Sequence, residues 1–592
     1  MNRTILWLLL AALTLAKVLI AIDLALFGDE VFYWLESRHL ALAYSDLPGM
    51  TAWLVALGVW TLGDSTLGVR FVFILLGLLL AWLIIRSAPT ANNGTGRDAV
   101  PSTLLVYLCL PPFALMGLFA VPDVPMLVAV ALLAFALPQA LRTDRLTWWL
   151  LAGLALAIGL ASHYRFGISA AGALAYFIFD RTGRHCWRQP GFYLMGAVAA
   201  IGLLPMLWFN LSNEAAAVRF QLLDRHPWQP QLEGALLGLK QFILLTPLLC
   251  AGLIMTGLNA LRSEDSSQRL LGWLSVVPAM ILLTLGVFAD QRNINFHWLL
   301  AAWLPLLPYL AQRLALWPGR WRRIALGTGG LSTIVLLVWI AAIAQSTSKA
   351  TDQRLYGGDN FAGWSTLATK VAAARGDREL LADNFIVASQ LTFLLPDHPR
   401  IRVMDHRINS SYGRTVQLAL WGDRLSTENP FVGDGLLVVE ESARKLLELP
   451  QFYQSLCAMF ESVRFVDQHN VLKGKKRFVF LEVSSEGPAS CQLPPVVYLD
   501  HPRRNSAYSR NDLIINGWVV PSSASVDVVI DDINRHSARL GFDAQGAPEE
   551  NAGFRLRVPE QLLTGQHQLR LEVTIDGNHF YRHRTIDFEL RD

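Results

Sequence analysis

Charge is scarce in this chain. Asp, Glu, Lys and Arg make up 16% of its 592 residues, where a soluble protein carries about 25%. The hydrophobic set reaches 53%, and the mean hydropathy is +0.36. That composition excludes a disordered chain and argues against a single soluble globular enzyme. Cysteine is also sparse. Five residues cannot build a disulfide-dense scaffold or a Cys-rich zinc module. The net charge of +3 is too small to mark a nucleic-acid partner.

What is present is unevenly spread. Residues 1–345 are mostly long apolar runs, whereas 346–592 read as ordinary soluble sequence. Eleven runs are long enough to span a bilayer: 4–27, 67–86, 101–120, 123–141, 147–162, 166–180, 190–210, 234–259, 270–288, 296–312 and 324–345. The first is too long for the core of a signal peptide and has no convincing small-residue cleavage site, so it reads as a membrane helix. The run 49–62 would be only about 21 Å long as a helix, against a hydrocarbon core of about 30 Å. It reads as interfacial.

Arginine sets the orientation. Eleven spans with a cytoplasmic N-terminus put fourteen Arg in inner loops and five (Arg38, Arg165, Arg219, Arg225, Arg292) in short outer ones, a positive-inside bias. A further span at 49–62 would reverse every later loop and destroy the bias. The expected outer segments are 28–66, 119–123, 163–165, 211–233 and 289–295, together with the soluble tail. Chemistry on that face cannot draw directly on a cytoplasmic nucleotide-activated donor, and a lipid carrier is the obvious vehicle.

The tail divides again. After a polar linker at 346–359, helix and strand alternate from Phe361 to about Val483, a small α/β pattern. The expected strands are Leu380–Ala382, Ile401–Met404, Leu436–Val439 and Arg477–Val483. Helices are expected at 364–374, 385–395 and 443–460. This stretch has no Gly-rich phosphate loop, no Ser-centred nucleophile elbow and no metal-spaced His pair. From 491 onward, short strands at 513–519, 525–530, 553–558, 567–575 and 585–590 read as an Ig-like β-sandwich. Such a module serves as a spacer or as a glycan- or envelope-binding element. The expected domains are therefore 1–345, 346–490 and 491–592. Cys457 and Cys491 are the two cysteines expected outside, where a bridge and two buried thiols are both open.

The acids cluster on one face. Asp29 and Glu30 sit where the first span meets the surface, a costly place for carboxylates unless they are solvated, paired or functional. Asp123, in Val121-Pro122-Asp123-Val124-Pro125, is either a helix-terminal cap or a second site acid. His163, Tyr164 and Arg165 form a polar knot between apolar runs. Arg219, Arg225 and Lys240 lie in or beside the large outer loop, and His297 opens a late span after Arg292. Such cations suit a lipid phosphate, and equally suit headgroup contact.

The stretch Asp29-Glu30-Val31-Phe32-Tyr33-Trp34, with Tyr44-Ser45-Asp46-Leu47-Pro48 and Trp53, resembles the opening motif of the ArnT-like and protein O-mannosyltransferase-like enzymes of the GT-C class. The pattern continues in Gly63-Asp64-Ser65, Val69-Arg70-Phe71, Pro122-Asp123-Val124-Pro125 and His297-Trp298 with Pro305. It reaches Gly363-Trp364, Ala382-Asp383-Asn384 and Tyr412-Gly413 with Gln417 and Trp421. The resemblance covers about 5–485 and leaves out the sandwich. Leu47 and Gly49 depart from it, standing where the family often has His and a second Pro.

This resemblance implies a multi-pass α-helical GT-C fold. It also implies transfer of a sugar from a polyprenyl-phosphate carrier to an acceptor hydroxyl of lipid A, a surface glycan or a protein. It carries Asp29 over as general base, Asp123 as a second site acid and Glu30 less directly, with Tyr33, Tyr44 and Asp46 in the substrate region. The acid cluster allows a divalent metal, Mg or Mn, and does not require one. The competing expectation is a transporter or flippase of a lipid-linked glycan. Such a protein would show internal repeats and polar groups at mid-membrane depth; the sequence has no evident repeat, and its polar groups gather at one interface.

Overall fold

The computed structural model describes residues 3–88, 99–226, 228–288, 296–347, 358–510, 513–558, 562–575, 577 and 579–591. The chain forms two compact units. One is 1–345 together with Ser410–Gln417, and the other is 346–409 together with 418–592.

The first unit is helical throughout. It opens with α1 (Arg3–Asp23), α2 (Gly28–Arg38), α3 (Met50–Leu62) and α4 (Thr66–Arg86). Among the described residues, seven helices are long and apolar enough to cross a membrane. The apolar pair Leu237–Leu244 and Pro247–Leu261 is bent by 117°, the geometry of a broken span or a re-entrant loop. The remaining expected runs appear as shorter apolar helices, Ala99–Leu108, Leu146–Ser162 and Phe166–Phe179. The chain is thus a multi-pass membrane protein. The run at 49–62 is the 13-residue α3.

Proline explains the main departure from expectation. The first helix of the run 101–120 ends at Leu108, because Pro111 and Pro112 cannot donate to the preceding turn, and a single turn resumes at Pro111–Ala114. The chain then folds back through 115–122. Gly117 adopts φ +90° there, and a Cβ on it would meet the Phe73 carbonyl oxygen at 2.3 Å. Lys17, buried in α1, donates to the Met116 carbonyl at 2.9 Å, which satisfies an ammonium that apolar surroundings would otherwise penalise.

The second unit holds three sheets. The first has the order β2-β1-β3-β5-β4-β6, built from Glu379–Ala382 (β1), Arg402–Val403 (β2), Asp434–Glu440 (β3), Ser462–Val471 (β4), Lys476–Ser484 (β5) and Ser490–Gln492 (β6). Strand β1 runs parallel to both neighbours, and β5 antiparallel to β3 and β4. The other two sheets form the sandwich. One has the order β12-β13-β9-β7: Arg539–Phe542 (β12), Gly553–Arg557 (β13), Ile514–Val520 (β9) and Val496–His501 (β7). The second has the order β11-β10-β14-β16-β8: Asn534–Ser537 (β11), Ser525–Ile530 (β10), Gly565–Ile575 (β14), Ile586–Arg591 (β16) and Ala507–Ser509 (β8), with His579–Arg582 (β15) paired to the end of β14. Strands β4, β7, β12 and β15 were not expected. Each is short, or carries polar residues where alternation would show it.

A buried carboxylate, Glu441, links these sheets. It accepts from the hydroxyls of Tyr453 at 2.5 Å and Tyr581 at 2.8 Å and from Arg477 Nε at 3.2 Å. Helix Leu449–Met459 leads to the Cys457–Cys491 disulfide, whose Cα atoms are 5.7 Å apart. Closing that loop stabilises the folded unit by about 3–4 kcal/mol in the chain-entropy model. Replacing both cysteines with Ser should lower the unfolding free energy of the second unit by about that amount in a denaturant titration. An unchanged midpoint would contradict it.

Candidate active site

Helix α2 carries both acids in its first turn, where a helix N-terminus favours carboxylates. Adjacent residues point in different directions, and the two acids have different surroundings. Glu30 is fully buried. Arg70 of α4 grips it through Nε to Oε1 at 2.7 Å and Nη2 to Oε2 at 2.6 Å, and the Ala120 amide donates to Oε1 at 2.9 Å. The same guanidinium donates to the carbonyls of Leu24 at 2.5 Å and Ala25 at 2.9 Å. Glu30, expected among the reacting acids, ties α2, α4 and the turn at 119–123 together.

Asp29 is different, with its side chain 30% exposed. Arg414 Nη2 donates to its Oδ1 at 2.8 Å, and Arg414 Nε lies 3.3 Å from Asp46 Oδ2. Arg414 belongs to the segment Ser410–Gln417, which packs with the helical unit. Ser45 fastens that segment. Its hydroxyl donates to the Gly413 carbonyl at 2.6 Å, and its amide donates to Gln417 Oε1 at 3.1 Å. The guanidinium is buried, 4.1 Å from the Phe32 ring centre, 5.6 Å from that of Tyr33 and 5.3 Å from that of Tyr412. Burial works against its charge, but Asp29 and Asp46 outweigh burial and hold Arg414 above its ordinary pKa.

Glu36 lies two turns beyond Asp29 on the same helical face. It is buried within hydrogen-bonding reach of Asp46. Among the described residues, neither Glu36 Oε1 nor Asp46 Oδ1 has a donor. Three carboxylates thus surround one guanidinium, and like charges that close do not all ionise. Burial first, then Asp46, pushes Glu36 well above the carboxylate range, and burial also raises Asp46.

The second cluster centres on Asp123, at the start of the helix Asp123–Thr143. Arg165 Nη2 donates to its Oδ1 at 2.8 Å, and His297 Nε2 lies 3.6 Å from Oδ2. The Arg165 amide donates to His163 Nδ1 at 3.0 Å. Its guanidinium sits 5.4 Å from the Trp298 ring centre. Burial, then Arg165, drives His163 well below its ordinary pKa.

Arg225 feels both clusters. Burial and then Arg165 depress its pKa, while Tyr33, Asp29 and Asp46 pull it up. Its one recorded polar side-chain partner is neutral, Gln221 Oε1 at 3.1 Å. It has no carboxylate partner among the described residues.

The other expected ligands stand apart. The Tyr44 hydroxyl serves its own loop, accepting from the Ala41 amide at 3.1 Å and lying 3.0 Å from the Glu36 carbonyl. Gly49 packs where a Cβ would come within 2.8 Å of the Ala41 carbonyl oxygen, which explains the absence of a second Pro there. Arg219 is exposed beside Asp224 at 3.7 Å. Lys240 makes no ion pair among the described residues. Arg292 lies outside the described residues.

Sequence reasoning missed Arg414 and Glu36. Arg414 follows the noted Tyr412-Gly413 pair, but nothing local ties it to a helix 385 residues earlier. As for a metal, no group of three or more His, Cys, Asp or Glu side chains among the described residues is placed to hold one. Asp29 and Asp123 each face an arginine instead. The donor set does not fit a divalent cation.

Residues 46–209 match the family described as dolichyl-phosphate-mannose-protein mannosyltransferase. The fold is that of two crystal structures of ArnT from Cupriavidus metallidurans, the apo state and the form bound to undecaprenyl phosphate. These are 14% identical, with TM-scores of 0.57 and 0.55, and the match covers 82% of this chain and all of theirs. Among curated proteins, the chain is 27% identical over 328 residues to the lipid A galacturonosyltransferase RgtD of Rhizobium johnstonii. It is 28% identical over 331 residues to the undecaprenyl phosphate-alpha-4-amino-4-deoxy-L-arabinose arabinosyl transferase of Pseudomonas aeruginosa. Each match covers 52% of this chain, and respectively 65% and 57% of the relative's own length. The resemblance to ArnT-like GT-C glycosyltransferases therefore holds in sequence and in fold.

Two predictions follow from the paired acids. Glu30→Ala leaves Arg70 buried without its partner and should cost about 3–5 kcal/mol, read as lost thermal stability in detergent. A melting point equal to that of the unmodified protein would contradict it. Glu36 is protonated more readily in the folded than in the unfolded chain. Its stabilising contribution is therefore full at low pH and declines as pH rises from the ordinary carboxyl range towards the raised folded value. Glu36→Gln should flatten that decline in melting temperature against pH; an unaltered slope would refute the raised Glu36 pKa.

Proposed function

We propose that this protein transfers a sugar from a polyprenyl-phosphate carrier to an acceptor hydroxyl of lipid A, a surface glycan or a protein. The observation that carries the reading is the contrast between Asp29 and its neighbours. Asp29 is oriented by a buried arginine yet remains open to a substrate, whereas Glu30, Glu36 and Asp46 are enclosed. An acceptor hydroxyl needs a positioned base, and a phosphate leaving group scarcely needs an acid. Asp29 takes the hydroxyl proton as the acceptor oxygen bonds to the anomeric carbon. The bond from that carbon to the carrier phosphate breaks, and the electron pair leaves with the phosphate.

Arg225, a cation with no carboxylate partner among the described residues, offsets the charge that develops on the phosphate. Arg165, oriented by Asp123 and stacked near Trp298, supports it. Asp123 positions Arg165 and does not itself transfer a proton. The relatives named above, one of them a lipid A sugar transferase, support the substrate class.

The sidedness belongs to the same proposal. The N-terminus is cytoplasmic in a bacterial inner membrane, and the site and the tail face the periplasm. The arginine asymmetry of the loops supports this. The functional division is a membrane transferase at 1–345, an α/β domain at 346–490 and a sandwich at 491–592.

The test is transfer of labelled sugar from its polyprenyl-phosphate donor in proteoliposomes. Asp29→Asn should reduce transfer by roughly 10²- to 10⁴-fold while the protein stays folded and inserted. Full activity would defeat the assignment.

A further inference from the structure

The sandwich lies beyond the 46–209 stretch that matches the family, and the proposed transfer uses none of its residues. One face of its four-stranded sheet nevertheless forms a cleft. Register places Tyr498 opposite Trp518, Trp518 opposite Gly553, and Asn516 opposite Arg555. Alternation along a strand puts these residues on one face. The opposite face, with Val497, Ile515, Val519 and Phe554, fills the sandwich core.

Glycine makes the hollow. Gly553 sits in the middle of the row, where a Cβ would meet the Phe542 carbonyl oxygen at 2.4 Å. A cavity of about 200 Å³ remains, bordered also by Asp500, Asp543 and Gln545.

The walls are chemically mixed. Tyr498 lies stacked on Trp518, with ring centres 5.6 Å apart and planes 24° apart, and is 36% exposed. The Arg555 guanidinium is held 4.7 Å from the Phe542 ring centre and has no ion-pair partner among the described residues. Asn516 Oδ1 is buried and has no donor among them, a cost that a ligand hydroxyl would relieve.

These features select a ligand class. A fixed aromatic face suits the C–H face of a pyranose ring. Sugar hydroxyls both donate and accept, and here carboxylates accept, a guanidinium donates and amides do both. Two carboxylates beside one arginine disfavour a phosphate, and polar walls disfavour an acyl chain. We propose that this cleft binds a pyranose residue of a cell-envelope glycan, apart from the transfer site. The same sugar could be presented on a free oligosaccharide or on a lipid.

The experiment uses the full chain in detergent micelles. Its probes are an array of bacterial core oligosaccharides without lipid, and intact lipopolysaccharide as a second arm. The unmodified protein should bind at least one oligosaccharide and the lipopolysaccharide that carries it. Tyr498→Ala and Arg555→Ala should each weaken both by about tenfold or more, as loss of a stacked ring or of a hydrogen-bonding cation would. Tyr498→Phe keeps the ring and should retain binding, which guards against simple misfolding. Binding to no oligosaccharide, or to intact lipopolysaccharide alone, would overturn the proposal. So would undiminished oligosaccharide binding by either alanine variant, or loss in Tyr498→Phe.

Discussion

The candidate site depends on one buried guanidinium. Arg414 lies between Asp29 and Asp46, over the ring of Phe32. A charge of that kind is costly to bury unless paired and hydrogen-bonded. The three carboxylates around it would repel one another without it. The geometry reconciles both demands: Arg414 takes two acids, and burial beside Asp46 raises the pKa of the third, Glu36. Asp29 is left oriented on one side and open on the other.

The second cluster repeats the logic with opposite bias. Asp123 pairs with Arg165 and stands near His297. Arg225 lies within electrostatic reach of both clusters and has no carboxylate partner among the described residues. A site with an oriented base at one end and an under-compensated cation at the other is suited to a neutral nucleophile and an anionic leaving group.

Much of this was legible in the sequence. Long apolar runs and sparse charge identified the membrane helices, because a bilayer imposes both length and composition. Asp29 and Asp123 were legible because acids at a membrane surface call for a reason. What was not legible depended on distance along the chain. Nothing near Arg414 announces that it meets α2, and nothing near Arg70 separates the fate of Glu30 from that of Asp29. The adjacent acids look alike in sequence and are distinguished only by helix direction and by the arginine each one meets. The break at Leu108 was readable in Pro111-Pro112, yet the hydrophobic run continues through it and conceals it. In the tail, the marginal strands β4, β12 and β15 have too little alternation to stand out.

The most direct test of the account is whether Asp29 and Arg414 act as one device in transfer. A double-mutant cycle of Asp29→Asn and Arg414→Gln, read as single-turnover transfer in proteoliposomes, measures that coupling. The account predicts a large loss for Arg414→Gln in the unmodified protein and little further loss once Asp29 is already Asn. Losses that simply add would show that Arg414 acts independently of Asp29 and would contradict the account.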